Sequence, residues 1–224
     1  MKTRIKIDTA ILCGIIIFTG LAYKFSSAHP PDIYTDGIFS AVGFFVILCG
    51  VFLRMVARGY KKAHSQGGHG LVVGGPYQLV RNPMYFGSFL LGTGFVLILW
   101  PWWSLPVFAY IFYLRFIRQI KKEEVYLSST FGQSYEEYLT KVPRLFPDFK
   151  VTKNIKFSEL FPFRLGWSTK EKWGLAGWPA FALFLDLLQE NTVYGAYNMI
   201  QGASIFALSV VVFLFMLGVL YKYE

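Results

Sequence analysis

The chain has 224 residues, of which 54% are hydrophobic and 19% aromatic while only 16% are charged, and its mean hydropathy is positive. That balance excludes an ordinary soluble domain and a disordered polar chain, and makes lipid the expected solvent. Lys and Arg number 22 against 13 acids. Such an excess suits nucleic acid, anionic lipid or the cytoplasmic loops of a membrane protein, and the placement of the cations decides among them.

Apolar stretches near the ~20 residues that cross a bilayer fall at about residues 8–23, 35–56, 84–100, 102–120, 173–189 and 200–221. The sequence therefore predicts an all-α fold, a polytopic transmembrane bundle of about six spans. The first 28 residues also admit a signal-peptide reading, because a basic start and an apolar run lead to Ser26-Ser27-Ala28. Cleavage there would leave the later spans in the same orientation. Cys13 and Cys49 lie inside apolar runs with no second thiol or His at ligand spacing, so they read as small buried hydrophobes, with no metal site and no disulfide. The third and fourth spans are separated only by Trp100-Pro101-Trp102-Trp103, a turn whose indoles suit the membrane interface. Together they predict an antiparallel helical hairpin.

Numbering the connections in turn puts every Lys and Arg except Lys24 on one side, 21 of the 22. The positive-inside rule makes that side cytoplasmic. The charge excess thus belongs to topology, with the lipid bilayer as partner and no nucleic acid. The expectation is a multi-pass protein of a bacterial inner membrane with both termini in the cytoplasm. Residues 1–147 form a four-span core, 148–172 a cytoplasmic linker and 173–224 a two-span C-terminal extension.

Two cytoplasmic stretches hold the polar residues of unusual character. The first runs from His69 to Gly87, and its glycines with Pro76 forbid a continuous helix and let the backbone turn tightly. Pro83 suits the first turn of the third span, with Asn82 as a candidate N-cap. His69, Tyr77, Arg81 and Tyr85 cluster at one membrane edge. The second stretch begins where the fourth span emerges, with Arg115, Arg118, Gln119, Lys121, Lys122, Glu123 and Glu124. A helix from Trp102 reaches Glu123 after about 30 Å, so the carboxylates come level with the first stretch. Adjacent residues point about 100° apart on a helix, so Glu123 and Glu124 face different neighbours. Lys121 and Lys122 read as a solvated face. A helix stop at Gly132, a capping box of Ser134 with Glu137, a short aromatic helix and Val142-Pro143-Arg144 come next, the last returning Arg144 to the polar cluster.

Taken in order, these residues resemble the isoprenylcysteine carboxyl methyltransferases and their relatives among the membrane phospholipid methyltransferases. The matching pieces are the His-x-Leu-Val segment at His69, a Gly-x-Tyr turn ending at Tyr77, Arg81-Asn82-Pro83-Met84-Tyr85-Phe86-Gly87, a hairpin, Glu123-Glu124, Phe131-Gly132 with Tyr135 and Tyr138, and Val142-Pro143. They run from His69 to Pro147, about a third of the chain, and 41 residues separate Asn82 from Glu123 as the family's hairpin requires. The resemblance implies an S-adenosyl-L-methionine pocket at the cytoplasmic end of the hairpin. It would be lined by His69, Gly70, Leu71, Val72, Tyr77, Asn82, Pro83, Met84, Tyr85 and Glu123, with Arg118 and Gln119 toward the methyl acceptor. It implies an S-adenosyl-L-methionine-dependent transferase acting on a membrane lipid or isoprenoid-type acceptor. Methyl transfer from a sulfonium needs in-line placement and exclusion of water, so no nucleophilic triad is expected.

Two positions depart from the family. Its usual His is Asn82 here, which keeps a donor and an acceptor but cannot become cationic. An Arg four residues before the Glu holds the carboxylate of the prenylcysteine substrate in the family, and that position is Gln119 here. An amide does not replace a bidentate cation, so the expected acceptor is a neutral or amine-bearing lipid or isoprenoid headgroup. Two rival readings are an NADPH-dependent sterol-type reductase, which shares an Asn/His-Pro-x-Tyr pattern, and a non-enzymatic lipid-binding membrane protein that keeps the fold.

Overall fold

The structure is a computed structural model, in which residues 33–148, 155–162, 172–193 and 199–222 are described. The span at 8–23, the signal-peptide reading and most of the 148–172 linker lie outside the described residues. The chain divides after Asp36, and the helices that pack together belong to the unit Gly37–Glu224. Among the described residues every regular element is helical. The longer elements are α1 (Ile33–His64), α3 (Pro83–Leu99), α4 (Leu105–Phe131), α5 (Gln133–Lys141), α7 (Lys172–Val193) and α8 (Met199–Lys222), with the single turns α2 (Pro76–Leu79) and α6 (Phe157–Leu160) between them. Five of the six apolar stretches are therefore helices. Thr35–His64 and Ile200–Lys222 are long and apolar enough to cross a membrane, and Pro83–Leu99 is a shorter apolar helix.

Glycines set the distance between α1 and α3. A Cβ on Gly43 would lie 2.8 Å from the carbonyl oxygen of Gly94, and one on Gly94 would lie 2.6 Å from that of Gly43. Gly50 and Gly87 repeat the relation at 2.8 and 2.9 Å. Each pair sits two turns from the other on both helices, in antiparallel order, so backbone meets backbone along one seam. Cα–H to carbonyl contacts and dispersion hold such a crossing where lipid offers no hydrophobic drive. Phe44, Ile47, Val51, Leu91 and Ile98 fill the flanks, with Ala182 of α7 closing the cluster.

The α3–α4 hairpin is held by rings. Trp102–Ser104 forms a 3₁₀ turn with both indoles exposed, and α4 starts at Leu105, after the turn rather than within it. Phe89 stacks on Phe108 and meets Phe112 edge-on, Tyr85 packs against Phe116, and Gly92 makes room for the ring of Phe108. On the other side, Phe45 and Phe52 of α1 meet Phe213 of α8. Buried polar groups join the C-terminal helices to α1: Ser40 donates to Asp186 of α7 at 2.8 Å, and Ser209 of α8 donates to the carbonyl of Ala41. The helices α7 and α8, outside the stretch that carries the family resemblance, thus pack on the same helix as the hairpin.

Gly132 departs from the expected capping. With φ 51° it ends α4 and opens α5 at Gln133, and Ser134 makes no cap. One residue in a conformation open to glycine joins two helices directly, so the chain needs no loop in which a Ser N-cap could stand.

The glycine seam predicts that Gly50→Ala destabilises the protein by about 1–3 kcal/mol through overpacking. Gly218→Ala, whose Cβ meets nothing within 4 Å, leaves it unchanged or slightly more stable. Thermal unfolding in detergent measures both, and equal melting temperatures would show that the α1–α3 crossing is not set by backbone approach.

Candidate active site at the end of the α3–α4 hairpin

Beyond the helix ends the chain has one backbone line that orders everything else. The segment after α5 returns to the start of α3, where the Arg81 amide donates to the carbonyl of Pro143 at 2.8 Å and the Asn82 side-chain amide donates to the carbonyl of Arg144 at 2.9 Å. Asn82 stands at the N-cap position of α3, but its side chain makes no cap. It is committed to the returning strand of chain.

Glu124 closes the same junction from α4. It is 9% exposed, accepts from Nε of Arg144 at 3.0 and 3.1 Å and pairs with the guanidinium nitrogens of Arg144 at 2.9 Å and Arg81 at 3.4 Å. The bond to Glu124 raises the Arg144 pKa above its ordinary value, so this guanidinium stays charged. The return of Arg144 to the polar cluster, read from the sequence, is observed.

Glu123, one residue earlier, belongs to a different set. Its carboxylate accepts from the hydroxyl of Tyr85 at 2.7 Å and from the side-chain amide of Gln119 at 2.8 Å. The two acids therefore face separate partners, as the helix period requires. Tyr77 lies beside them. Its hydroxyl is pushed well above the usual phenol range by burial, then by the charge of Glu123, with Arg58 opposing. Tyr138 donates to the carbonyl of Tyr77 at 2.6 Å, and burial together with Tyr77 and Tyr135 holds its own hydroxyl firmly protonated. Tyr77, Tyr135 and Tyr138 form one cluster with Leu71, Val72, Met84 and Ala57 of α1.

The predicted site residues thus separate by position. Leu71, Val72, Tyr77 and Met84 share that apolar cluster, Tyr85 and Gln119 hold Glu123, and Pro83 is buried at the first turn of α3. Gly70 turns against the carbonyl of His64. His69 is exposed, and only its backbone amide makes a hydrogen bond, to Gln66. Arg118 is exposed on α4, away from Glu123, and so are Lys121 and Lys122. Sequence reasoning missed the contribution of α1. Arg58 lies close enough to bias Tyr77, and Tyr60 fills the space against which Gly74 and Gly75 turn, a Cβ on either meeting its ring or hydroxyl at under 3 Å. Its signal was a pair of arginines four residues apart at the end of an apolar helix, read only as topology. Among the described residues no group of three or more His, Cys, Asp or Glu could hold a metal ion.

Residues 37–134, from α1 to the start of α5, match the family model of phospholipid methyltransferases. The chain is also similar to protein-S-isoprenylcysteine O-methyltransferases. It is 37% identical over 116 residues to the enzyme of Schizosaccharomyces pombe, covering 48% of each chain. It is 33% identical over 112 residues to protein-S-isoprenylcysteine O-methyltransferase B of Arabidopsis thaliana, covering 46% of this chain and 57% of that one. A probable protein-S-isoprenylcysteine O-methyltransferase of Oryza sativa subsp. indica is 29% identical over 120 residues, covering 50% and 63%. The chain spans about half the length of the curated relatives it matches. No solved structure matches. The resemblance read from the ordered motifs is borne out.

The separate partners of the two acids predict separate phenotypes. Glu124→Ala leaves two arginines without their carboxylate and should cost about 3–5 kcal/mol of stability, the scale for breaking a buried pair. Glu123→Ala should lower the melting temperature far less. Equal losses would show that both carboxylates serve the junction.

Proposed function

We propose that the protein is an integral membrane S-adenosyl-L-methionine-dependent methyltransferase acting on a lipid or isoprenoid-bearing acceptor. The observation that carries the reading is the Tyr85–Glu123–Gln119 set at the end of the hairpin, within a stretch that matches the phospholipid methyltransferase family. Methyltransferase relatives favour this reading over the NADPH-dependent reductase and over a non-enzymatic lipid-binding protein.

The donor set fits such a cofactor. Its ammonium and ribose diol want a carboxylate, its carboxylate wants amide or cationic donors, and its adenine wants flat apolar walls. Glu123 supplies the first, the chain around Asn82 and Arg58 the second, and Leu71, Val72, Met84 and the tyrosine cluster the third. When bound, the cofactor supplies an activated methyl group on a sulfonium. The protein's part is to hold the acceptor in line with it and to exclude water. Glu123 is fixed by two neutral donors, so its charge stays available for a ligand. Tyr77 and Tyr138 remain protonated across the neutral range and act as donors and walls, not bases.

Charge division and helix lengths support the fuller architecture of about six spans, with the junction of Arg81, Glu124 and Arg144 on the cytoplasmic side and both termini there. The division into a core at 1–147, a linker at 148–172 and an extension at 173–224 is retained as part of this proposal, with α7 and α8 shaping the bilayer side of the acceptor site.

Isothermal titration of the purified protein should give saturable binding of S-adenosylhomocysteine and none of NADPH. Glu123→Ala should weaken that binding about tenfold or more, the scale of a lost charge-assisted hydrogen bond. Saturable NADPH binding, or no binding of either, would sink the reading.

Orientation has its own test. In a background lacking Cys13 and Cys49, a thiol introduced at Asn191 should react with an impermeant reagent from outside and one at Gly132 should not. The reverse pattern in sealed, correctly oriented vesicles would overturn the topology.

A further inference from the structure

Gln119 occupies the position from which the acceptor's anion would be expected to be held, yet its amide is turned to Glu123. Cations stand elsewhere. Arg54 of α1 lays its stem over Gly87, where a Cβ would meet its Cγ at 2.6 Å, and its guanidinium donates to the hydroxyl of Ser88 on α3. Arg115 of α4 is partly buried, its Nε is shielded from solvent, and it lies one helical turn before Gln119 and two before Glu123.

The ring pairs fix how these residues meet. Tyr85 against Phe116, Phe89 against Phe112 and Gly92 against Phe108 set the register of α3 on α4, and that register places Ser88 within about one helical turn of Arg115. They also share a side. Phe86 and Phe89 pack on Phe146, and a cavity of about 300 Å³ opens beside Tyr113, Phe116 and Phe146. Ser88 and Arg115 come two residues after Phe86 and Tyr113, which on a helix puts each about 160° around, on the opposite flank of the hairpin. Arg54, Ser88 and Arg115 thus form a basic layer on that flank, about one turn toward the bilayer from Tyr85 and Gln119.

We propose that this layer is the acceptor's anion site, with Arg54 and Arg115 as specificity-determining residues that replace the cation absent from position 119. The inference rests on the methyltransferase reading. It departs from the expectation of a neutral or amine-bearing acceptor, which rested on Gln119 and Asn82 and left these two arginines to topology. Partly buried guanidinium groups among apolar helices are costly and mark functional sites, and a planar guanidinium matches a carboxylate or phosphate. Both arginines make further interactions within the protein, which orient them. The acceptor's head would lie in this layer with its isoprenoid or acyl chain in lipid. If a carboxylate oxygen is the atom methylated, its lone pair forms the bond to the methyl carbon, the carbon–sulfur bond breaks with its electrons going to sulfur, and no proton is released. The neutral ester formed then loses its hold on the arginines, which favours product release.

The test uses the full chain in nanodiscs of zwitterionic lipid and three probes: an S-prenyl thioether with a free carboxylate, its methyl ester, and prenyl monophosphate. The wild type should bind the acid about tenfold or more tighter than the ester, the scale of one charge-assisted hydrogen bond. Arg54→Gln and Arg115→Gln should each lose most of that preference while ester binding and S-adenosylhomocysteine binding stay unchanged. Arg54→Lys and Arg115→Lys should keep part of it, and these variants with the wild-type comparison decide the matter if a Gln variant does not fold. Tighter binding of the monophosphate than of the acid would assign a phosphate-bearing acceptor. Equal wild-type affinity for acid and ester, or losses shared equally by both, would overturn the proposal. An acid preference without S-adenosylhomocysteine binding would overturn the methyltransferase reading alone.

Discussion

A carboxylate withdrawn from water must be met by cations, and Glu124 is where that requirement organises the protein. Two guanidinium groups reach it from different parts of the chain, Arg81 before α3 and Arg144 after α5. Neither can leave without stranding the charge of the other partners in a poorly solvated place. Because α4 carries Glu124, its polar end is tied both to the entry of α3 and to the chain beyond α5. The two backbone-directed bonds at Arg81 and Asn82 then line the returning segment against the hairpin mouth. Glu123 inherits a fixed place from this arrangement. Its neighbour on the helix is immobilised, so its carboxylate is presented to Tyr85 and Gln119 in one orientation.

The hairpin and the returning Arg144 were legible because each has a local cause in the sequence. A tryptophan-rich turn between apolar runs specifies the hairpin, helix period separates Glu123 from Glu124, and Val142-Pro143 breaks α5 where the chain must reverse. The features that could not be read depended on partners distant in sequence. That Glu124 takes both Arg81 and Arg144 emerges only once three segments are assembled. Asn82 looked like a cap because the residue before a proline-led helix usually is one, but a carbonyl 62 residues away claimed its amide. Gly132 displaced Ser134 as the start of α5 because its backbone can turn in one step. His69 illustrates the converse case: its place in an ordered motif suggested the site, while in the structure its side chain faces solvent.

The arginines of α1 and α4 show why charge is hard to assign from sequence in a membrane protein. Arg54, Arg58 and Arg115 lie near the ends of apolar runs, where the positive-inside rule already supplies a sufficient reason for them. Topology and chemistry then predict the same residue at the same place. Only the packing separates the two, since a cation present for topology alone can stay exposed at the surface, as Lys121 and Lys122 do. Arg54 instead turns along Gly87 to a serine on the next helix, and the charge of Arg58 is felt by a buried phenol.

Glycine connects these observations. The seam that brings α1 against α3 through Gly43, Gly50, Gly87 and Gly94 is also what allows the stem of Arg54 to pass across α3 at Gly87, because a side chain there would occupy its path. Close helix approach and the placement of a cation beside Ser88 therefore have a single cause. The C-terminal end of α1 extends this logic beyond the apolar bundle, where Tyr60 fills the hollow under Gly74 and Gly75 and the turn it supports delivers Tyr77 to the tyrosine cluster. Through α1, the backbone spacing set inside the apolar bundle governs the position of the polar groups at its mouth.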